Sequence, residues 1–281
     1  MIYSKVGLIY HPVGTAAREF AAHLRTSCLG EVPDVWSVHT GDDVAFVEHV
    51  AGTELLICIG GDGTVLWAAK AAIPHAIPII SVNMGRLGFL SELERQDAEE
   101  GTRRVLRGEG AVEERAMIEC VLAERERGVE PLVALNDIVI GRAAAGRPVY
   151  LSVAVDGVHL ATVRADALIL ATATGSTAYN LSAGGPVLMP QSRAILLTPV
   201  APHLSRMRPI VLPEDSSVEI EVETDHSAIV SIDGRVDLPL QSGNRVTVRR
   251  SPHTAQFMRL HSHGAFFERL AHHLNLSTRQ Q

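Results

Sequence analysis

Leu55-Leu56-Ile57-Cys58-Ile59-Gly60-Gly61-Asp62-Gly63-Thr64 is the stretch on which the reading of this chain turns. An apolar run ends on three glycines that surround one carboxylate, and Val65 to Ala72 continues with helix-like composition. The pattern is a strand, a tight turn and a helix start. Glycine has no Cβ, so it can take φ > 0 and lets another group approach the backbone closely. A helix start offers unpaired N–H groups to an anion. A phosphate-bearing ligand is the natural occupant. Asp62 is the awkward member, because a carboxylate beside a phosphate repels it unless it binds a metal or moves a proton. No Gly-Lys-Ser/Thr follows, so this is not a Walker A loop, and it is not the dinucleotide fingerprint. An isolated Asp-Gly would read as an Asx-type turn. The two preceding glycines and the strand–helix context point instead to phosphate held by backbone, with Asp62 near a reacting hydroxyl.

Outward from this turn, the first hundred residues alternate strand and helix patterns. Val6 to Tyr10 is an apolar run closed by His11-Pro12 and Gly14, and residues 15–24 carry Ala16, Phe20 and Leu24 at helix-compatible spacing. Val35 to Val38 is a second strand candidate. Asp42-Asp43 can cap a helix through Val50, with Val44, Val47 and Val50 as its apolar face. Pro78 to Val82 is a further strand. This alternation implies βαβ units and a mainly parallel sheet, whose ligands bind beyond the carboxyl ends of the strands. Asp62 and the later Asn83-Met84-Gly85 both stand at such ends.

The pattern changes after about residue 110. The charges of Arg103, Arg104, Arg107, Glu109, Glu113, Glu114 and Arg115 mark a connection. Short β-rich stretches follow at 117–123, 132–140, 149–155, 168–171, 195–197, 218–222, 229–232 and 246–248. Asp156-Gly157, Asp233-Gly234 and Ser242-Gly243-Asn244 punctuate them as turns. The expected architecture is therefore an α/β domain with a mainly parallel sheet over 1–110, then an all-β, sandwich-like domain over 111–281. A C-terminal helix at about 264–275 returns to the first domain, with Phe266, Phe267, Leu270 and Leu274 as its docking stripe.

Composition narrows the class. The chain has 281 residues, 46% hydrophobic and 20% charged, which supports a packed core. Its net charge of −7 and the lack of a basic run argue against a nucleic-acid partner. No run of 18 apolar residues occurs and the N-terminus has no long apolar h-region, so neither a membrane span nor a signal peptide is expected. Cys28, Cys58 and Cys120 are an odd set without a C-x-x-C pair and read as thiols of a reducing, cytoplasmic compartment. His261, His263, His272 and His273 invite a metal reading, but no carboxylate or cysteine of zinc spacing joins them.

Three further constellations carry chemistry. Asn136-Asp137 interrupts an apolar strand, and an amide beside a carboxylate suits ribose hydroxyls, each both donor and acceptor. Alone, the pair could equally be a strand-end turn. The run Thr172-Ala173-Thr174-Gly175-Ser176-Thr177-Ala178-Tyr179-Asn180-Leu181-Ser182-Ala183-Gly184-Gly185-Pro186 gathers hydroxyls and glycines suited to a polyhydroxyl ligand, between flanks too apolar for a free linker. Ser231-Ile232-Asp233-Gly234-Arg235 reads first as a hairpin turn.

Taken in order, these residues resemble the NAD kinase family, within the wider group of GGDGT kinases that includes diacylglycerol and sphingosine kinases. The resemblance rests on Gly60–Thr64, the run Asn83-Met84-Gly85-Arg86-Leu87-Gly88-Phe89-Leu90, Asn136-Asp137, Asp166 with Thr172–Pro186, and Ser231–Arg235. The first motif is shared with lipid kinases, whereas the long Thr-Gly-Ser-Thr-Ala-Tyr-Asn run is far more specific.

The resemblance implies phosphoryl transfer from ATP, or inorganic polyphosphate, to the 2′-hydroxyl of the adenosine ribose of NAD, giving NADP. It makes Asp62 the base, with Gly61 and Gly63 beside it. Asn136 would hold the ribose or diphosphate and Asp137 the adenosine ribose hydroxyls. Asp166 would meet the nicotinamide carboxamide, with Ser182 near that end. Thr174, Thr177, Ala178 and Tyr179 would line the dinucleotide, while Phe89 and Leu90 would pack near the adenine. The site would draw Asp62 from the first domain and Asn136, Asp166 and Tyr179 from the second. Mg²⁺ or another divalent cation is the implied charge partner, without a recognisable all-protein metal site, and a homo-oligomer (dimer or tetramer) is implied as well. Two positions depart from the family pattern: Asp137 stands where Glu is usual, and Ala165 and Ala167 flank Asp166 where glycine is common. A lipid or other small-molecule kinase, resting on Gly60–Thr64 alone, and a non-catalytic nucleotide sensor, suggested by the altered Asn136-Asp137 pair, are the other readings.

Overall fold

The protein is seen in a computed structural model that describes residues 2–85, 88–123, 131–144, 147–203, 207–261 and 264–274, apart from the side chain of Val236. Arg86 and Leu87 of the second glycine-bearing turn, His263, and position 275 of the expected terminal helix lie outside the described residues. The chain forms two compact units, one of Met1–Glu114 with Ala255–Gln281 and one of Arg115–Thr254. This differs from a continuous 111–281 domain. The chain's last segment contributes its apolar and charged side chains to the first unit, where Met258 joins the hydrophobic core.

In the first unit, β1 (Lys5–Tyr10) lies between β2 (Asp34–His39) and β3 (Leu55–Gly60), and β4 (Ile79–Asn83) continues beyond β3, all parallel. A short β5 (Leu93–Glu94) pairs with β4. The helices α1 (Ala16–Ser27), α2 (Asp43–Val50) and α3 (Asp62–Ala72) connect β1 to β4 in turn, and α4 (Ala98–Leu106) follows β5. All six residues of β3 are buried, as befits a central parallel strand covered on both faces. Helix α1 buries Ala17, Phe20, Ala21 and Leu24, a stripe at helical spacing.

Two local readings are corrected. Asp42 does cap α2, accepting the Ala45 N–H at 3.1 Å. The buried face of that helix, however, is Phe46 and Val50, while Val44 and Val47 point outward. Phe46 wins because its ring packs edge-on against Trp36 and Trp67, a larger contact than a valine offers. The charge-rich stretch after residue 98 is also no mere connection. Arg103 and Arg104 belong to α4, whose Ala98, Thr102, Val105 and Leu106 face inward. The charges pair on its outer side, Arg103 with Glu99 at 2.7 Å and Arg104 with Glu109 at 2.8 Å.

The second unit is a sandwich. One sheet runs β13 (Ile210–Leu212), β12 (Ile195–Val200), β11 (Ala167–Ala171), β8 (Asp137–Arg142), β15 (Ala228–Ile232), β16 (Val236–Leu240), antiparallel throughout. The other holds β10 (Val158–Ala165), β9 (Val149–Val155), β14 (Ser217–Glu223) and the first part of β17 (Arg245–Arg259), with β6 (Ala111–Leu122) and β7 (Leu132–Ala134) beyond. Alternate residues of both sheets, among them Ile138, Ile140, Leu168, Leu170, Leu151, Val153, Val218 and Val246, form one core. Asp156-Gly157 and Asp233-Gly234 turn their hairpins with φ of 51° and 77°, and 51° and 61°, the left-handed pairs that two-residue turns require. Cys58 and Cys120 are buried and Cys28 is partly so, all as thiols. No helix among the described residues is long and apolar enough to cross a membrane.

Truncating a central strand should cost far more than truncating the outer face of α2. Ile57→Ala is expected to lower stability by about 2–5 kcal/mol, whereas Val44→Ala should stay within about 0.5 kcal/mol of the parent. Urea unfolding of the two variants measures both.

Candidate active site

The strand–turn–helix at Asp62 forms as its sequence dictates. β3 ends at Gly60, and α3 begins at Asp62 with Gly61 as its cap and no side chain closing the helix end. None of Gly60, Gly61 and Gly63 takes positive φ, so their left-handed freedom is unused. Their missing side chains matter instead. Gly61 and Gly63 face open space, and a Cβ at Gly60 would collide with the Thr64 hydroxyl. That hydroxyl is buried and has no partner among the described residues.

Asp62 makes no Asx turn. Its carboxylate reaches a segment far along the chain, where Oδ2 accepts the Phe89 N–H at 3.0 Å and Oδ1 accepts the Leu90 N–H at 3.3 Å. A Cβ at Gly88 would overlap the carboxylate, so only glycine permits this approach. Burial raises the Asp62 pKa, against the Leu90 and Phe89 amides and the electrostatic influence of His273 and Arg269. The result is a held, partly desolvated and more basic carboxylate at a helix start. Phe89 is partly exposed beside it, but Leu90 is in the core and offers its N–H to Asp62, not its side chain to a ligand. Asn83 closes its own turn, accepting from Gly85 N and donating to Gly85 O, both at 3.1 Å. A cleft of about 540 Å³ lies there, lined by Phe20, Asn83, Met84, Gly85, Glu94, Arg95 and Gln96. Asp62 is not among its walls.

In the second unit, Leu135 and Asn136 form a bend between β7 and β8, and Asp137 opens β8. The bend is fixed from two sides. Thr172 N donates to Asn136 O at 2.9 Å, and a Cβ at Gly175 would overlap the same peptide. From the other side the Asp233 carboxylate accepts three backbone N–H groups, Leu135 at 2.9 Å, Asn136 at 2.7 Å and Asp137 at 3.1 Å. Charge-assisted bonds of this kind are worth roughly 1.5–3 kcal/mol each. Asp233 was legible only as a hairpin residue. It is also the cap of the Asn136-Asp137 bend, a role no local pattern announces. Asp137 is buried, and burial followed by the charge of Asp233 pushes its pKa up to about 7.

The hydroxyl-rich run is less available than its composition suggests. Ser176 donates to Ala173 O at 2.6 Å and accepts the Leu188 N–H. Asn180 is fully buried, bonded to Ser176 O, Pro186 O and the Thr198 hydroxyl. Thr174 is buried and its hydroxyl receives Arg115 at 3.3 Å, while Thr177 donates to Thr174 O. These groups build the loop. Tyr179 and Ser182, on the short helix α5 (Tyr179–Ser182), are exposed, and Thr177 and Ala178 are partly so. Asp166 sits at the bend between β10 and β11, its Oδ2 2.8 Å from Arg142 Nη2. Its flanking Ala165 and Ala167 lie in strands at ordinary φ, so the freedom of a glycine there would not be used.

The ATP-NAD kinase N-terminal domain matches residues 14–110 of this chain, and the ATP-NAD kinase C-terminal domain matches residues 135–260. The chain belongs to the NAD kinase family. It is 39% identical over 270 residues to an NAD kinase of Dehalococcoides mccartyi, covering 96% of this chain and 95% of the relative. An NAD kinase of Chloroflexus aggregans is 40% identical over 228 residues, 81% of this chain and 83% of the relative. Yeast NADH kinase complexed with NADH superposes with a TM-score of 0.85 at 26% identity, covering 99% of this chain and 90% of the other. An NAD kinase from Archaeoglobus fulgidus in complex with ATP gives 0.75 at 25% identity, covering 98% and 100%. Neither the lipid-kinase nor the sensor reading is favoured by these matches. The two-domain kinase fold expected from the sequence is the fold observed.

The raised pKa of Asp137 has a measurable sign. The folded state holds its proton up to about pH 7, whereas an unfolded Asp loses it near ~3.9. The native state then binds more protons over that window, so this group's contribution to stability falls as pH rises through it. Asp137→Asn should therefore gain on the parent between about pH 4 and 7 and level off above. Unfolding free energies of both proteins across that range test this.

Proposed function

We propose that the protein transfers the γ-phosphoryl group of ATP, or a terminal phosphoryl of polyphosphate, to the 2′-hydroxyl of the adenosine ribose of NAD. The observation that carries this reading is the Asp62 carboxylate, buried at a helix start and held through both oxygens by backbone amides. Each carboxylate oxygen has more than one lone-pair direction, so a substrate hydroxyl can still be accepted. Burial brings the carboxylate's basicity towards the working pH, which favours a general base. In the reaction the ribose O–H bond breaks, its proton passes to Asp62, the ribose oxygen bonds to phosphorus, and the bond from phosphorus to the leaving phosphate oxygen breaks. The rest is alignment and charge neutralisation. Gly61 and Gly63 leave the backbone open for the donor's phosphates.

The NAD contacts follow the same logic. Asn136 and Asp137 offer an amide and a carboxyl to ribose hydroxyls from a bend locked by Asp233. A carboxyl with a pKa near neutrality can both donate and accept, which suits a diol. Asp166 keeps Oδ1 for an amide N–H such as that of nicotinamide, since Arg142 occupies Oδ2. Thr177, Ala178, Tyr179 and Ser182 are the accessible members of the long loop, with Phe89 beside Asp62. Thr174 acts through its own buried bonds. No group of three His, Cys, Asp or Glu among the described residues could hold a metal ion. A divalent cation would enter with the donor substrate, bound to its phosphates and screening their charge. A homo-oligomer working in the cytoplasm completes this reading.

Purified protein given NAD, ATP and Mg²⁺ should form NADP, with polyphosphate and NADH as parallel arms. Asp62→Asn should lower turnover by roughly 10²–10⁴-fold while calorimetry shows NAD still bound. An Asp62→Asn variant with the parent's rate would remove Asp62 from the role of base.

A further inference from the structure

Each residue from Phe89 to Glu92 is tied to the last stretch of the chain. The Phe89 ring packs on the His273 ring, with centroids 4.3 Å apart. Arg259 Nη1 reaches Leu90 O at 3.5 Å. Arg269 Nη1 donates to Ser91 O at 2.7 Å. The Glu92 carboxylate, almost wholly buried, takes Arg259 at 3.0 Å and the backbone N–H groups of Leu260 at 2.7 Å and His261 at 2.9 Å. Burial acts to raise the Glu92 pKa, but Arg259 and these amides outweigh it and hold it below the usual range. Residues 89 and 90 are the ones whose N–H groups hold Asp62.

Arg269 and His273 stand one turn apart on α6 (Gly264–His273), so both meet the same segment from one helix face. His273 Nδ1 lies 2.9 Å from Arg269 O, which fixes the ring's orientation. Arg269 is anchored by its bond to Ser91, and its buried Nε has no partner among the described residues. Guanidinium and imidazole thus lie behind the peptide groups that face Asp62.

We infer that α6 is a working part of the catalytic apparatus: Arg269 and His273 are positioning residues that set the placement of the Asp62 carboxylate. This rests on the reading of Asp62 as the base. The helix acts through the backbone of Phe89–Ser91, which fixes where the carboxylate oxygens stand. It acts also electrostatically, since His273 and Arg269 oppose the effect of burial on Asp62 beside the Leu90 and Phe89 amides. Buried and without that influence, the carboxylate would hold its proton to higher pH and be lost as a base sooner on acidification. The stripe expected from sequence explains only part of the docking. Phe266 is buried, but Phe267 and Leu274 remain exposed, so polar contacts decide how the helix is seated.

The test compares Arg269→Met, Arg269→Lys and His273→Ala with the parent in steady-state NADP formation across pH. Arg269→Met should lose roughly tenfold to a hundredfold in kcat, with KM for NAD within about twofold, the pattern of a fault confined to the reacting geometry. The acid limb of its kcat profile should move up by about one pH unit, and Arg269→Lys should bring the limb back. His273 is on the surface, so His273→Ala should fold normally and still lower kcat. Thermal melts run beside the kinetics. An unmoved acid limb in Arg269→Met, or a kcat loss explained wholly by unfolded protein, overturns the inference, as does a parent-like His273→Ala. A parent protein without NADP formation, or a fully active Asp62→Asn, sinks instead the functional reading beneath it. An inactive Asp62→Asn with a parent-like Arg269→Met defeats the role of the helix alone.

Discussion

The Asp62 carboxylate accepting the Phe89 and Leu90 N–H groups is the contact on which the arrangement around Asp62 depends. It joins two glycine-bearing turns at the ends of neighbouring parallel strands. Glycine removes side-chain contacts from these turns. The carboxylate supplies the missing constraint while facing a helix start that favours its charge. Burial opposes that charge, and the balance leaves a carboxylate whose pKa is raised yet restrained by its amide partners. The initial puzzle of a carboxylate among phosphate-binding glycines has a physical answer: Asp62 is turned towards residues 89–90, with Gly88 making space for it.

The second unit uses the same device in a different fold. Asp233 collects three backbone N–H groups of the Leu135–Asp137 bend. Without them the bend would carry unpaired donors, which a buried backbone does not tolerate. Here burial raises the pKa of Asp137, and the like charge of the locking Asp233 carboxylate raises it further.

What was legible in the sequence was local. A strand, a glycine turn and a helix start are written in consecutive residues, and so are the Asp-Gly hairpins. What was not legible came from partners distant along the chain. Composition alone made Ser176, Asn180 and Thr172 look like ligand groups, but their hydroxyls and amide are spent on Ala173, Pro186, Thr198 and Leu135. Val44 and Val47 matched a helical stripe, yet the aromatic cluster of Trp36, Phe46 and Trp67 chose the other face. Asp233 hid its second role behind an obvious first one. In each case the spacing was right and the partner, which spacing does not encode, decided the outcome.

The terminal helix carries this furthest. Its apolar residues predicted a docking helix, and Phe266 does dock. A helix held only by such a stripe could slide or rotate by a residue at little cost, because apolar contact is not directional. The Arg269 bond to Ser91 O and the His273 stack on Phe89 have defined geometry, so they fix register where the stripe cannot. Glu92 does the same for the strand end before it, gathering Arg259 and two amides at one buried carboxylate. Breaking such a buried pair from one side would leave an uncompensated charge, which discourages intermediate placements. The end of β17 and the helix α6 are thereby held in one position relative to residues 89–92, and through them relative to Asp62.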